Sequence, residues 1–278
     1  MPESSKTVRN ALSLLSCFTR SQPVLTASEL TRRLKLARTS VIRLLVTLET
    51  SGFIEKHPDG MGYRIGLRAF EIGTLFLVAN PLSSLLVRAL DELVEKTQCT
   101  AYFAILDKDD VVILNYREGT LPIRFIWQVG DRLPLHTTAL GKAILAHMSR
   151  AEIDQQIGSG ETLRGLTDKS IRSRAELDDD IEKTRERGWG LARQESHAGL
   201  TAVGSAILDE ADHPIAAISI SCLDYPPNLE RLNQYAVVVQ AVARDVSRKI
   251  AEYRSYGSSI SREAWAMPAQ KVQESSSR

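Results

Sequence analysis

This sequence has few cysteines and no long apolar run, and each shortage excludes a class of protein. Its three cysteines, Cys17, Cys99 and Cys222, are scattered and include no C-x-x-C pair. Such a set indicates neither a disulfide framework nor a zinc site, so we expect a reducing, cytoplasmic location. No apolar run approaches the ~20 residues of a membrane helix, and the N-terminus lacks the pattern of a secretory signal. Membrane insertion and secretion are therefore not expected.

The charges that are present are unevenly distributed along the chain. Of its 278 residues, 43% are hydrophobic and 25% are charged, which is typical of a soluble protein with room for two cores. Residues 1–66 hold ten Lys or Arg against five Asp or Glu, whereas residues 67–278 hold twenty-five against twenty-nine. A basic N-terminal region joined to an acidic remainder is expected when only the N-terminal region of a protein binds phosphates.

Residues 35–66 have the pattern of a DNA recognition helix followed by a β-wing. Apolar residues recur at i, i+3, i+4 and i+7 and predict a buried stripe: Val41, Leu44, Leu45 and Leu48. Gly52 stands where a left-handed residue would end the helix. Two β-prone runs, residues 53–56 and 63–65, follow around a turn that contains Pro58, Asp59 and Gly60.

The opposite face of this helix is polar and cationic. Taken alone, it fits a solvated helix face as well as a DNA-contacting one. The charge asymmetry and the wing favour DNA, with Arg43 able to reach guanine through its planar fork. Thr39 and Ser40 can form hydrogen bonds with bases or phosphates, and the cations of the wing can contact phosphates. The predicted DNA-contacting residues are Arg38, Thr39, Ser40, Arg43, Thr47, Lys56 and Arg64.

The preceding residues predict two further helices. The first carries an apolar stripe of Val8, Ala11, Leu12, Leu15 and Phe18. Residues 26–29 match a capping box that opens a second helix running to about Leu34. Three helices and a wing make residues 1–66 a winged helix-turn-helix. Residues 67–79 then predict a linker helix that is apolar around much of its circumference, and we expect it to pack against its copy in a second subunit.

The remaining chain predicts an antiparallel α+β domain. Asn80 and Pro81 are typical of a helix start, and the helix buries Leu82, Leu85, Leu86, Ala89, Leu90, Leu93 and Val94. Strands are predicted at residues 100–106, 111–116, 122–129, 190–194, 201–208 and 215–222. Helices are predicted at residues 137–148, 174–187 and 229–253. The Ser-rich tail, residues 255–278, is expected to be disordered.

Two stretches carry a specific resemblance. GDRLPLHTTALGKAILA, residues 130–146, closely resembles the effector-domain hallmark of the isocitrate lyase regulator (IclR) family of bacterial transcription factors. GWGLARQESHAGLTAVGSAI, residues 188–207, is similar to that family's second signature, with Glu195 and Gly199 in the expected places. The resemblance spans about residues 6–250. It implies a homodimer or homotetramer in which a GAF-like effector domain, residues 80–254, binds a small organic acid and alters binding to a double-stranded DNA operator.

The same resemblance indicates where an effector would bind. Ser219 and Ser221 alternate with Ile218 and Ile220, so both hydroxyls share one strand face, although ordinary strand serines are the competing interpretation. The resemblance places this face on the ligand side. Apolar walls are predicted from Ala139, Leu140, Leu200 and Ala202, and a cation and an aromatic surface from Arg124 and Trp127. Strand alternation puts Arg124 and Trp127 on opposite faces unless a bend intervenes.

Two departures from the family pattern bear on the ligand. Ala192 stands where relatives that sense small keto acids carry an acidic residue, and Ala206 replaces a usual proline. With an apolar residue at 192, an aromatic acid is expected rather than glyoxylate or pyruvate.

No metal, cofactor or catalytic group is predicted. His136 and His147 are too far apart in sequence for a ligand pair, and His197 beside Glu195 has no nucleophile nearby. The sequence therefore predicts a ligand-responsive, non-enzymatic transcriptional regulator of catabolic genes that binds a palindromic operator. The alternatives are a metabolite-binding module or enzyme with an accessory DNA-binding domain, and an architectural DNA binder without a ligand.

Overall fold

The computed structural model describes residues 5–78, 83–121, 127–158, 160, 162–223 and 228–255. The chain divides into two compact units, Met1–Pro81 and Leu82–Arg278. The first unit thus contains the predicted winged helix-turn-helix together with the linker helix. No helix within the described ranges is both long and apolar enough to cross a membrane.

The first unit contains three helices, a two-stranded wing and the linker helix. Its elements are α1 (Lys6–Leu15), α2 (Ala27–Leu34), α3 (Arg38–Thr50), β1 (Ile54–Lys56), β2 (Tyr63–Ile65) and α4 (Leu67–Val78). The predicted capping box is present, because the Glu29 N–H donates to Thr26 Oγ1 and the Thr26 N–H donates to Glu29 Oε2. Helix α3 ends in a Schellman motif, in which Gly52 at φ +75° lets the Phe53 N–H reach the Leu48 carbonyl at 2.9 Å.

The core of this unit forms around α3, and it corrects the predicted stripe of α1. The four predicted residues of α3 are buried together with Leu14, Leu25, Leu30 and Ile54. In α1, however, Val8 and Leu12 are 56% and 59% exposed, whereas Leu14 is completely buried. The packed face runs through residues 11, 14, 15 and 18 at helical spacing. The predicted stripe therefore includes two exposed residues, Val8 and Leu12, and omits Leu14, which faces the core.

The second unit is built on one antiparallel sheet. Its strands are β3 (Thr100–Asp107), β4 (Asp110–Arg117), β5 (Arg132–Pro134), β6 (Gly190–Arg193), β7 (Leu200–Leu208) and β8 (Pro214–Leu223). Its helices are α5 (Ser83–Thr97), α6 (Ala139–Ala146), α7 (Arg150–Ile157), α8 (Arg174–Arg187) and α9 (Leu229–Ser255). The strand order is β5-β4-β3-β8-β7-β6, and every pairing is antiparallel. The predicted α+β class is confirmed.

Helices cover both faces of this sheet and create two cores. Side chains of α5 and α9 pack with Ala101, Phe103 and Ile220 on one face. Side chains of α6, α7 and α8 pack with Tyr102, Ala104 and Ala217 on the other. The alternation of strand side chains therefore assigns neighbouring residues of β3 and β8 to opposite cores.

Some predicted elements differ from the structure. Within the predicted strand 122–129, residues 122–126 lie outside the described residues and residues 127–129 form no strand. They enter a turn at Gly130, φ +88°, in which the Gln128 N–H donates to Asp131 Oδ2 at 2.7 Å. The neighbouring strand is β5 instead. Helix α7 was not predicted, although Ser149 and Glu152 form a second capping box at its start.

Helix ends differ as well. The predicted helix 137–148 is a 3-10 turn, Leu135–Thr137, followed by α6. Ser255, predicted to begin the disordered tail, is the last residue of α9. Asn80, Pro81, Leu82 and residues 256–278 lie outside the described residues.

Candidate functional sites

The solvent face of α3 presents the predicted polar residues together. Arg38, Thr39, Ser40, Arg43 and Thr47 are all exposed, because the opposite stripe holds the helix against the core. Within the described part of the chain, no hydrogen bond or ion pair engages the Arg43 guanidinium. The Thr47 hydroxyl donates to the Arg43 carbonyl at 3.0 Å, which leaves its oxygen able to accept. Ala37 caps the helix without a side-chain bond, as its residue type requires.

The two cations of the wing, Lys56 and Arg64, differ from Arg43 of α3, because each already lies beside a carboxylate. Lys56 Nζ lies 3.2 Å from Glu49 Oε1, and Arg64 Nε lies 2.5 Å from Glu55 Oε1. Both pairs reach solvent, with Glu49 half-buried and the other three groups exposed, and ion pairs at the surface contribute about 0–1 kcal/mol. Each cation can therefore turn to a phosphate at small cost, but each brings a carboxylate close to that phosphate.

Sequence reasoning missed two apolar residues on the same face of α3. Ile42 and Val46 are exposed one turn apart between the polar side chains. In the sequence, their four-residue spacing on the side of the helix opposite the buried stripe could have identified them. Exposed aliphatic groups beside hydrogen-bonding ones suit thymine methyl groups in a major groove.

In the second unit, one cavity gathers the residues predicted to bind an effector. It lies between the sheet and the start of α6, and its walls include seven of the eight predicted residues: Trp127, Ala139, Leu140, Leu200, Ala202, Ser219 and Ser221. Arg124 lies outside the described residues. Residues that sequence reasoning missed complete the lining: Tyr102, Ile113, Leu133, Thr138 and Ser196. Among these, Tyr102 and Ile113 alternate with residues of the opposite sheet face in predicted strands, which was a usable signal.

The start of α6 reaches the cavity because glycines let it lie directly on the strands. A Cβ at Gly204 would stand 2.7 Å from the Ala139 carbonyl oxygen, and one at Gly190 would stand 2.2 Å from it. Both glycines are therefore required by close approach. Thr138 caps the helix, its Oγ1 accepting from the Gly141 N–H at 2.9 Å. This cap leaves the Ala139 and Leu140 N–H groups at the positive end of the helix dipole.

The polar groups of the cavity are hydroxyls. Ser219, Ser221 and Tyr102 are buried, and the Tyr102 hydroxyl accepts from the Trp127 N–H at 3.2 Å. Burial raises the pKa of the Tyr102 phenol, although that N–H and the nearby Ser221 hydroxyl oppose the rise. The Ser221 hydroxyl lies beside the Tyr102 phenol and faces the cavity.

The cavity is narrow. The space in it that water can occupy measures about 20 Å³, which is room for about one water molecule. An organic ligand therefore requires the lining side chains to move apart.

These sites can be compared with known proteins. Residues 76–248 match the family described as bacterial transcriptional regulator IclR C-terminal, and residues 7–58 match the IclR helix-turn-helix domain. This chain belongs to the IclR family. It is accordingly a DNA-binding transcriptional regulator, as the two sequence signatures implied. The regions matched follow one another along the chain in the order of its two structural units.

Two Escherichia coli members of the IclR family resemble the chain over most of their length. The HTH-type transcriptional regulator KdgR is 28% identical over 260 residues, which cover 92% of this chain and 96% of KdgR. The transcriptional repressor IclR is 28% identical over 244 residues, which cover 87% of this chain and 89% of that protein. Both proteins are named as regulators, in agreement with the family assignment.

A solved IclR-family structure shares the fold. An IclR homologue from Microbacterium hydrocarbonoxydans, crystallised with 4-hydroxybenzoate, superimposes with a TM-score of 0.70 at 20% identity and covers 86% of this chain and 100% of its own. At this identity the likeness shows the fold alone.

Within this IclR-family chain, a buried ion cluster joins the two signature stretches. Lys142 from the first stretch is 1% exposed, and its Nζ lies 2.7 Å from Glu195 Oε2 in the second and 3.1 Å from Asp180 Oδ2. Burial raises the pKa of Glu195, and Lys142 opposes the rise. Ser170 Oγ donates to the Glu195 carbonyl at 2.6 Å. The cluster thus fixes the backbone immediately before Ser196, a residue of the cavity wall.

The histidines of the two signature stretches occupy separate places. Burial lowers the pKa of His136, and its Nε2 lies 2.9 Å from the Arg164 carbonyl oxygen. His197 is exposed, with Nδ1 2.9 Å from the Ala198 carbonyl oxygen. No group of three or more metal-ligating side chains is found within the described ranges.

Proposed function

We propose that this regulator reads an operator through α3 and responds to a carboxylate ligand with an apolar, aromatic body. The observation that carries the proposal is the pairing of an exposed cationic helix face in one unit with a hydroxyl-lined apolar cavity in the other. Control of catabolic genes fits a sensor of organic acids. Binding to chromosomal DNA is consistent with a cytoplasmic protein.

The DNA-contacting set that we propose is the one predicted from sequence, with Arg43 as the main base-reading residue. Its guanidinium is exposed at the middle of α3, and a bidentate contact to guanine contributes about 1–3 kcal/mol of discrimination. Lys56 and Arg64 are proposed as phosphate contacts. Because both give up ion pairs on binding DNA, we expect their individual contributions to be smaller than that of Arg43.

Arg43→Ala tests this assignment. Operator affinity should fall by about 1–3 kcal/mol, while affinity for random duplex DNA at the same salt concentration changes less. Fluorescence anisotropy against an operator selected from random sequences measures both. The matched control is Arg172→Ala, an exposed arginine of the second unit. Equal losses on operator and random DNA would remove Arg43 from the base-reading set.

The ligand assignment follows from the lining of the cavity. Ser219 and Ser221 supply hydrogen-bond donors on one strand face, and the first N–H groups of α6 supply a positive dipole end for an anion. Leu140 and Leu200 flank these groups with apolar surface. Ala192 is buried and contributes no charge. A benzoate-like acid matches this combination, and the related Microbacterium protein was crystallised with such an acid.

Calorimetry with the full chain tests the ligand class. We expect heat with benzoate or 4-hydroxybenzoate and a loss of about 1–3 kcal/mol in affinity for Ser219→Ala with Ser221→Ala, while operator binding survives. Ser205→Ala is the control, since Ser205 lies on the face of β7 opposite to the cavity-lining Ala202. Heat with glyoxylate or pyruvate, and none with benzoate-like acids, would contradict the proposal.

The chain is proposed to bind its ligand without consuming it. Among the described lining residues there is no acid–base pair beside a nucleophile, and Glu195 is held by Lys142 instead. Proton NMR of the ligand after prolonged incubation should show it unchanged. Appearance of a product would favour the alternative of an enzyme with an accessory DNA-binding domain.

We also propose a homodimer or homotetramer, on which binding to a palindromic operator depends. In α4, Leu67, Phe70, Ile72 and Leu75 are exposed on several sides of the helix. A single chain leaves this surface in water, which favours burial against another copy. Two copies would then address half-sites separated by about one helical turn, ~34 Å, or a multiple of it.

A further inference from the structure

The thiols of two cysteines, Cys99 and Cys222, lie within hydrogen-bonding distance of each other at one end of the β3–β8 pairing. Thr100 of β3 pairs with Ser221 of β8 as the last pair of this antiparallel ladder. Cys99 immediately precedes β3, and Cys222 follows Ser221 in β8. Residues directly opposite in such a ladder have Cα atoms about 4.5–5.5 Å apart. Disulfides span Cα distances of about 4.4–6.8 Å. Continuing the register by one residue would bring Cys99 and Cys222 into this range of spacing.

The surroundings of this pair favour thiolate formation. Hydrogen bonding with the Cys222 thiol lowers the pKa of Cys99, and the Tyr235 and Thr97 hydroxyls and the Arg231 charge act in the same direction against burial. Burial and the neighbouring Cys99 raise the pKa of Tyr235 to about 12, so its hydroxyl stays protonated as a donor. Cys99 is completely buried, whereas Cys222 is 7% exposed. The pair is thus close to solvent only on the Cys222 side, where β8 ends.

We propose that Cys99 and Cys222 are a redox-sensitive thiol pair that closes to a reversible cross-strand disulfide with hydrogen peroxide as oxidant. In the first step the Cys99 thiolate attacks the peroxide, forming an S–O bond and breaking O–O; the hydroxide that leaves combines with the proton given up by Cys99, which gives the first water molecule. In the second step the Cys222 sulfur attacks the resulting sulfenic acid, forming S–S and breaking S–O. The Cys222 proton combines with the hydroxide released in this second step, which gives the second water molecule. The thiols lose two electrons, and the peroxide gains them.

The place of the pair in the sheet gives the modification a structural consequence. Cys99 and Cys222 face the core formed with α9, while the next residues on each strand approach the opposite face, where Tyr102 and Ser221 line the cavity. A disulfide fixes the separation of β3 and β8 at this point. The effector cavity and the thiol pair therefore share the same two strands.

The test treats full-length protein with hydrogen peroxide, alkylates the remaining thiols and maps tryptic peptides without reduction. Cys99 and Cys222 fall on different peptides, because Lys108 and Arg193 separate them. We expect one linked peptide pair joining them, loss of both alkylation sites and full reversal by dithiothreitol. Cys17 serves as the internal control and should remain alkylated.

Variants separate this outcome from general oxidation. C17S should give the same linked pair as the unmodified chain, and C222S should give none. Sulfinic acid on a single cysteine, a crosslink through Cys17, or a Cys99–Cys222 link that forms only after unfolding in urea would each overturn the proposal. If C222S does not fold, the presence or absence of the linked peptide pair in the unmodified chain and in C17S is enough to test the proposal.

Discussion

Replacing Lys142 by methionine tests the buried ion cluster that joins the two signature stretches. The substitution keeps the length of the side chain but removes a cation that serves both Glu195 and Asp180. Removing one partner of a buried ion pair costs about 3–5 kcal/mol, because the remaining charge has lost its solvation and its counter-ion. We expect Lys142→Met to destabilise the second unit by that amount.

Glu195→Gln should cost less than Lys142→Met. In the glutamine variant Lys142 keeps Asp180 at 3.1 Å as a counter-ion, whereas the methionine variant leaves Glu195, which is 8% exposed, without one. Combining both substitutions should cost less than their sum, because neither buried charge is then unpaired. Lys183→Met is the control: this lysine lies exposed on α8, and its loss should change stability by no more than about 0.5 kcal/mol.

The cost of Lys142→Met should also depend on pH. Burial raises the folded-state pKa of Glu195 above its ordinary value of 4.5, and loss of Lys142 raises it further. A raised pKa gives stability that is complete below the unfolded value and lost as pH rises through the folded value. The difference between the variant and the unmodified chain should therefore be smallest near pH 4.5 and should grow toward neutral pH.

Tryptophan fluorescence in urea measures this unit selectively. All three tryptophans, Trp127, Trp189 and Trp265, belong to residues 82–278. Midpoints and slopes at several pH values give the free energies of unfolding. A loss that is the same at every pH, or a Glu195→Gln variant less stable than Lys142→Met, would refute the reasoning about unpaired buried charge.

Two further predictions follow from close packing and from the exposed linker helix. Gly204→Ala should destabilise the second unit by about 1–3 kcal/mol, because its Cβ would meet the Ala139 carbonyl at 2.7 Å. Thermal unfolding measures the change, with Gly160→Ala as the control because a Cβ there meets nothing within 4 Å. Equal unfolding midpoints for the two variants would contradict the prediction. Light scattering should give a dimer or tetramer at micromolar concentration, and Phe70→Glu should shift it toward monomer, whereas a monomeric unmodified chain would sink the oligomer proposal.

Local patterns in the sequence predicted the elements that local forces decide. The stripe of α3, the capping box at Thr26 and the glycine that ends α3 each depend on residues within about one or two helical turns. The alternation of Ser219 and Ser221 likewise needs only the two-residue period of a strand. Each of these features is present, because the interaction that produces it connects near neighbours along the chain.

Other features were decided by tertiary structure. The rotation of α1 that buries Leu14 depends on which face α2 and α3 present. The cavity gathers Tyr102, Thr138 and Ser196, which neither period nor spacing relates to one another.

The Lys142–Glu195 pair and the facing cysteines likewise arise only when the strands assume their order. Strand order is set by the packing of helices on both faces of the sheet, and no local periodicity encodes it. The sequence by itself therefore determined the elements and the exposed face of α3, and the tertiary structure decided which distant side chains meet.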